Sequence, residues 1–170
     1  MAHGKRQRRR FKRRTSGHTD YHRRLKLLRN GAPRAVVRVT NTQVICQLVA
    51  YQADGDLVLA ATDGKALRVK YGWPAGASTK SVPAAYCTGF ALAKLAQKAG
   101  HDEAVLDIGL AASSRGSRVF AALKGMVDAG LGVPHSEDIF PSEDRLAGAH
   151  IDDSIAGAVE STKTAIEEAN

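Results

Sequence analysis

The sequence has few cysteines, few aromatic residues and no long apolar run. Cys46 and Cys87 lie 41 positions apart, with no histidine near either at metal-ligand spacing. A disulfide framework and a zinc site are therefore not expected, and free thiols in a reducing cytoplasm are the simplest interpretation. No apolar run approaches the roughly 20 residues that a membrane-spanning helix needs. These absences exclude a disulfide-rich secreted protein and a membrane protein.

Acidic residues are nearly absent from the first 30 positions. Residues 1–30 contain 12 Lys and Arg side chains, nine of them Arg, against the single acid Asp20. The other 140 residues carry 13 basic and 16 acidic side chains, so the formal net charge of +8 comes from the N-terminus. The chain is a mildly acidic domain with a cationic arm, which favours a polyanionic partner.

The 170 residues suit one domain with a substantial core. We expect residues 1–17 to be a basic arm that is disordered in isolation, because almost nothing in it can be buried. Residues 18–135 are predicted to form the folded domain. Residues 136–170 carry nine acids and are predicted to be an acidic extension with short surface helices.

A short helix is predicted directly after the arm. Thr19 is a candidate N-cap, and Tyr21, Leu25 and Leu28 recur at i, i+4 and i+7 as one apolar face. We expect the helix to dock by this face. The opposite face, which would point outward, is basic and carries Arg23, Lys26 and Arg29.

The remaining pattern predicts an α/β fold. Three β-rich segments joined by short turns form an antiparallel meander, over residues 34–40, 43–51 and 57–62. A short helix is predicted near 65–71. It is followed by a helix over residues 83–99, a strand over 103–109 and a second helix over 117–130. This order predicts a crossover unit that extends the meander into a mixed sheet, with the helices packed on it.

No catalytic constellation is visible. Only His18 and His22 have a metal-ligand spacing, and they lie in the basic segment, where like charges oppose a divalent cation. Paired acids such as Asp152 and Asp153 suit a solvated tail. Nucleophile-elbow and Walker motifs are missing. We expect no enzyme activity, no cofactor and no metal.

The arginine-rich arm predicts nucleic-acid binding, because guanidinium groups bind phosphates in pairs of hydrogen bonds and stack on bases. The cationic stripe continues onto the folded part, with Arg34 and Arg38 on one face of a strand. RNA is favoured over DNA because no helix-turn-helix, zinc-finger or basic-zipper pattern is present. Tyr21 and Trp73 are candidates for base stacking, although either would also suit the core.

The loop at 110–116 offers a second candidate contact. Arg115, Ser117 and Arg118 surround the start of a predicted helix, where exposed N–H groups favour an anion. A phosphate contact and a plain serine cap are both consistent with this pattern. For the whole chain, an architectural RNA- or DNA-binding protein and an RNA-modifying enzyme with a basic tail remain open alternatives.

Several segments together resemble a known family. They occur in family order from about residue 5 to 151, at positions 19–28, 33–41, 70–73, 83–89, 103–110, 116–125 and 134–138. The chain resembles the universal large-subunit ribosomal protein family numbered eighteen, in its archaeal form, which binds 5S rRNA. The resemblance implies an α/β domain with a mixed sheet, acting as a structural constituent of the cytoplasmic ribosome.

The same resemblance implies partners and site residues. The family attaches 5S rRNA to the large-subunit rRNA in the central protuberance, beside neighbouring ribosomal proteins; neither a membrane nor DNA is an expected partner. Carried over by position, the arm would thread between RNA strands with Arg6, Arg8, Arg9, Arg10, Lys12, Arg13 and Arg14. The folded surface facing RNA would comprise Tyr21, Arg23, Arg24, Arg29, Arg34, Arg38, Thr40, Asn41 and Gln47. Secondary contacts would come from the loop at 73–80, with Trp73 and Lys80, and from Arg115, Ser117 and Arg118.

Overall fold

A four-stranded sheet lies at the centre of the fold. The computed structural model describes Gly4 and residues 8–170, apart from the side chain of Asp153. The strands are β1 (Arg34–Val39), β2 (Val44–Ala50), β3 (Leu57–Asp63) and β4 (Val105–Asp107). They lie in the order β3-β2-β1-β4; β1, β2 and β3 are antiparallel neighbours, and β4 pairs with β1 in parallel. The predicted meander, extended into a mixed sheet by a crossover, is confirmed.

The connection between β1 and β2 is a tight turn at residues 40–43. The Thr40 N–H donates to the Gln43 carbonyl at 2.9 Å, and the Thr40 hydroxyl donates to the same oxygen at 2.8 Å. These bonds fix the register in which Val36 lies opposite Gln47. Because side chains alternate between the two faces of a strand, Arg34, Val36 and Arg38 share one face of the sheet.

The described residues form seven α-helices, two before β1 and five after β3. They are α1 (Lys12–Thr15), α2 (Tyr21–Leu28), α3 (Gly64–Lys70), α4 (Val82–Lys98), α5 (Arg118–Asp128), α6 (Glu143–Ala147) and α7 (Asp153–Ala169), with a 3₁₀ turn at Glu137–Ile139. The start of α4 is set by Ser81, whose hydroxyl accepts from the Ala84 N–H, and by Pro83 in the first turn.

The core lies between α4, α5 and one face of the sheet. The strands contribute Val37 and Leu48, which are fully buried, and Cys46 and Cys87 are buried free thiols. The two helices cross at very short range, because a Cβ at Gly89 would collide with the Ala122 carbonyl. The small side chains of α4 therefore permit close packing on the sheet and on α5.

The C-terminal extension differs from the predicted short surface helices. The 17-residue helix α7 packs against α4, and it buries Ile155, Val159, Thr162 and Ile166. These four positions recur at i, i+4, i+7 and i+11, one face of a helix. Among the described residues, none of the helices has the length and apolar character needed to cross a membrane.

Candidate nucleic-acid interface

The described part of the arm is exposed and cationic. A single helical turn, α1, lies within the segment predicted to be disordered. All the basic side chains described here are exposed, and none forms an ion pair with another described residue; they are Arg8, Arg9, Arg10, Lys12, Arg13 and Arg14. Arg6 lies outside the described residues. The arm thus keeps its cations available to an external polyanion.

Helix α2 docks by its arginines, contrary to the prediction from its apolar face. The Arg23 guanidinium donates to the Gly109 carbonyl at 2.7 Å, and Arg24 pairs with Asp56 at 2.7 Å. Tyr21 and Leu25, predicted to face inward, are 42% and 60% exposed. The predicted docking face is therefore wrong at Tyr21 and Leu25, whereas Leu28 is partly buried and Arg23 is exposed, as predicted.

The N-cap of α2 also differs from the prediction. Asp20, and not Thr19, accepts hydrogen bonds from the backbone N–H groups of His22 and Arg23, at 3.0 and 3.1 Å. Thr19 instead accepts from the Arg13 guanidinium at 2.6 Å. This bond joins the arm to the start of the folded domain.

An alternating network of charges holds α2 to the sheet. Arg34 lies at its centre, with one guanidinium nitrogen 2.6 Å from Asp56 and another 2.6 Å from Asp107. Arg38 pairs with Asp107 at 3.0 Å, and Arg24 extends the chain of charges from Asp56. Because strands β1 and β4 and the turn before β3 all contribute, the network fixes α2 across the open face of the sheet.

Both carboxylates of this network are stabilised in the ionised form. Burial opposes ionisation of Asp107, but the charge and hydrogen bond of Arg38, the Gly109 N–H and Arg34 together lower its pKa below the usual range. The hydrogen bond from Arg24 lowers the pKa of Asp56, with a further contribution from Arg34. The network therefore keeps its charges at neutral pH.

Gly109 connects the network to α2. Its N–H donates to Asp107 at 2.9 Å and its carbonyl accepts from Arg23. The residue has φ of +63°, and a Cβ there would lie 2.8 Å from the guanidinium carbon of Arg38. Only glycine combines this backbone conformation with such a close approach.

Burial contradicts two of the predicted RNA contacts. Arg34 and Trp73 are each 3% exposed. The Arg34 guanidinium is held by two carboxylates, and Trp73 belongs to the hydrophobic core. Neither side chain is accessible to RNA in this fold, so both belong to the interior.

The other predicted residues of the folded surface have intermediate positions. Arg24 and Arg38 retain 29% and 42% side-chain exposure despite their ion pairs. Thr40 and Asn41 are exposed at the first hairpin turn, although the Thr40 hydroxyl closes that turn. Gln47 is half-buried, and Arg29 is exposed at the end of α2. Contacts of these residues with RNA stay predictions.

The secondary contacts form a separate cluster. An Arg118 guanidinium nitrogen lies 3.5 Å from the Lys80 carbonyl, and Arg115 is exposed nearby in the chain. Ser117 stands at the N-cap of α5, but its hydroxyl makes no hydrogen bond within the described structure and does not cap the helix. Arg145 and His150 line the same cleft as Lys80 and Arg118. Neither Arg145 nor His150 is predicted from the sequence as a contact, because both lie within an acidic segment.

In the part of the chain that the structure describes, no three His, Cys, Asp or Glu side chains come together in a way that would hold a metal ion. The acids closest to the arginine network serve as its counter-charges. Electrostatic attraction of an external polyanion is the chemistry this surface supports.

Comparison with known proteins identifies the family. The family model described as "Ribosomal large subunit proteins 60S L5, and 50S L18" matches residues 5–105 and 96–136. The large ribosomal subunit protein uL18 of Korarchaeum cryptofilum is 51% identical over 151 residues, 89% of this chain and 76% of that protein.

Two further archaeal relatives agree. The uL18 protein of Methanoculleus marisnigri is 55% identical over 141 residues, 83% of this chain and 79% of the relative. That of Methanothermobacter thermautotrophicus is 50% identical over 151 residues, 89% of this chain and 77% of the relative. The match thus includes the arm, α2, the sheet and α5, so the chain belongs to this family of large-subunit ribosomal proteins, structural components of the ribosome and not enzymes, as the sequence predicted.

Proposed function

We propose that the chain binds 5S rRNA and helps to attach it to the large-subunit rRNA in the central protuberance. The observation that carries this proposal is the row of exposed arm cations without acidic partners, beside a helix that the folded domain holds in place. Family membership supports a ribosomal RNA as the polyanion. The resemblance of segments 19–28 and 33–41 to a 5S rRNA-binding family supports the choice of RNA.

Phosphate neutralisation by the arm supplies most of the affinity. Residues 1–17 contain eight Lys and Arg side chains and no acid. Each phosphate contact releases condensed counterions, so the logarithm of the affinity falls with the logarithm of salt concentration by about 0.7–0.9 per contact. Ordering the arm costs conformational entropy, which many such contacts offset.

Specificity is assigned to the folded domain. Because the charge network holds α2 on the sheet, the arm leaves the domain at a fixed position relative to the exposed Asn41 and the half-buried Gln47. Proteins that recognise structured RNA read its shape and its unpaired bases. A rigid frame of this kind would select one RNA shape over others that carry the same charge.

Attachment to the large-subunit rRNA is assigned to the second cluster. Lys80, Arg118, Arg145 and His150 line one cleft formed by the starts of α4 and α5, by α6 and by the chain after it. A protein that joins two RNAs needs two cationic surfaces, and this cluster provides the second. Neighbouring large-subunit ribosomal proteins would pack around these contacts.

The alternative is an architectural protein that binds any RNA or DNA through its arm. The arm's composition supports it, because electrostatic attraction to phosphates carries no sequence information. The two functions differ in where specificity lies. The family function assigns specificity to residues 18–135, whereas the alternative assigns all binding to residues 1–17.

The test is a comparison of affinities. Binding of 5S rRNA, an unrelated structured RNA of equal length and duplex DNA is measured at several salt concentrations, for the full chain and for a variant lacking residues 1–17. We expect a preference for 5S rRNA of roughly tenfold or more that survives the deletion, while absolute affinity falls by about three orders of magnitude. Equal binding of all three nucleic acids, abolished by the deletion, would establish the architectural alternative.

A further inference from the structure

We propose that a cleft between α2 and the turn before β3 binds an unpaired nucleobase of the 5S rRNA, stacked on Tyr51 with Tyr21 beside it. This inference rests on the proposed function. The cleft has a volume of about 410 Å³ and contains both tyrosines, Gln52 and the backbone of Gly55. Arg13 and Arg24 lie on the same cleft.

The distribution of aromatic side chains is the first argument. The chain has four Phe, four Tyr and one Trp. Five of these nine residues are at most 6% exposed, namely Tyr71, Trp73, Tyr86, Phe90 and Phe120, and Phe140 is partly buried. The three exposed ones are Phe11, Tyr21 and Tyr51, at 88%, 42% and 58%. Aromatic exposure is therefore confined to the arm, α2 and the residue after β2, and the arm and α2 supply the two arginines that line the cleft with Tyr21 and Tyr51.

Exposed aromatic rings in a cationic setting suit single-stranded nucleic acid. An aromatic ring stacks on any base, because every base presents a π-face, and nearby arginines bind the flanking phosphates. Arg13 is held at the cleft by its hydrogen bond to Thr19, and Arg24 by its pair with Asp56. The cleft thus combines stacking surfaces with positioned cations.

The cleft also offers polar groups for the edge of a base. Gln52 carries an amide that both donates and accepts hydrogen bonds, and it is exposed. The carboxylate of Asp56 is already engaged by Arg24 and Arg34. Gln52 and the nearby backbone of Ala53 and Gly55 are therefore the candidates to read the base edge.

An apolar protein segment is the other occupant to consider. Leu25, which lies one turn from Tyr21 on α2, is 60% exposed, and Leu57, which follows Asp56 in the chain, is 47% exposed. Arg24 already has a counter-charge in Asp56, whereas the Arg13 guanidinium bonds only to the neutral Thr19 hydroxyl among the described residues. Arg13 therefore favours RNA, since a desolvated arginine beside an apolar segment would lack a counter-charge. A nucleobase needs the aromatic ring of Tyr51, whereas an apolar segment needs the exposed leucines, so substitutions can distinguish the two occupants.

The experiment compares ring removal with ring retention in the full chain. Affinity for 5S rRNA is measured at several salt concentrations for Tyr51→Leu, Tyr51→Phe and the control Leu57→Ala. We expect Tyr51→Leu to weaken binding roughly tenfold, a typical stacking contribution, and Tyr51→Phe and Leu57→Ala to bind like the unmodified chain. The salt dependence should stay unchanged in all three, because no cation is removed. Circular dichroism confirms folding, which these exposed positions should not affect.

Chemical probing of the RNA bases supplies the second readout. One base protected by the unmodified chain should become reactive with Tyr51→Leu and stay protected with Tyr51→Phe, while backbone protection by the arm persists. Equal weakening by Tyr51→Leu and Leu57→Ala would overturn base stacking in favour of an apolar contact. Unchanged affinity with Tyr51→Leu, in a chain that still prefers 5S rRNA, would overturn this inference and leave the proposed function intact. If the unmodified chain binds 5S rRNA no better than an unrelated structured RNA, the proposed function itself is overturned.

Discussion

The arginines of the arm and those of the sheet differ in what surrounds them. Arg8, Arg9 and Arg10 are exposed and have no acidic partner among the described residues. Arg34, in contrast, is 3% exposed between two carboxylates. One residue type thus serves two functions within 30 positions of chain. Arm arginines are available to RNA phosphates, whereas sheet arginines stabilise the frame that presents the arm.

The largest expected effect is on the frame. Asp107→Asn leaves the buried Arg34 and the adjacent Arg38 without their shared carboxylate. Removing one member of a buried ion pair costs about 3–5 kcal/mol, and we expect the lower end of that range because Arg34 keeps its pair with Asp56. Urea denaturation should report this loss in the free energy of unfolding. A loss below about 1 kcal/mol would contradict the assignment of the network to the frame.

Acid should act on the same carboxylates. The pKa values of Asp107 and Asp56 are lowered in the folded state, so their contribution to stability is complete above the unfolded-state pKa of about 3.9 and declines as pH falls through the folded-state values. The free energy of unfolding should therefore fall below about pH 4. The free energy of unfolding should fall less steeply with decreasing pH in Asp107→Asn than in the unmodified chain. An identical pH dependence in the two proteins would contradict a contribution from Asp107.

A smaller effect is expected at the exposed end of the network. Asp56 retains 25% side-chain exposure, so Asp56→Asn should destabilise the fold by only about 1–2 kcal/mol. Since Asp56 pairs with Arg24 of α2, the variant should also weaken 5S rRNA binding through less precise placement of α2. Hydrogen exchange of the α2 amides would measure this loosening, and unchanged protection would show that Asp56 does not hold the helix.

The local elements of the fold could be predicted from the sequence. Segments 34–40, 43–51 and 57–62 become β1, β2 and β3 with ends shifted by one residue at most, because alternation and turn residues are local signals. The strand predicted at 103–109 is shorter: Val105–Asp107 pairs with β1, and Glu103 forms an isolated bridge with Gly132.

The docking of α2 could not be predicted in the same way. Its apolar periodicity indicated burial of Tyr21 and Leu25, but the partners that decide its orientation, Asp56 and Gly109, lie 32 and 86 positions from their arginines. Helix α2 is short, and the ion pair of Arg24 with Asp56 and the hydrogen bond of Arg23 to the Gly109 carbonyl decide the docking against that pattern. The same non-local pairing places Arg34 in the interior.

The C-terminal helix was missed for a different reason. The acidic composition of residues 136–170 suggested solvated short helices, although Ile155, Val159 and Ile166 already lie on one helical face in the sequence. Lys163 also lies 5.5 Å over the rings of both Tyr86 and Phe90 on α4. Periodicity within this segment was the better signal, and composition obscured it.

The most direct test of the two functions of arginine is a matched pair of substitutions. Arg10→Gln and Arg34→Gln each remove one positive charge, and both variants are measured for the free energy of unfolding and for the salt dependence of 5S rRNA binding. Arg10→Gln should leave stability within about 0.5 kcal/mol and reduce the salt slope by roughly one phosphate contact. Arg34→Gln should cost about 3–5 kcal/mol and leave the slope of the folded protein unchanged. The reverse pattern, with Arg34→Gln stable but lower in salt slope, would contradict the division between arm and frame.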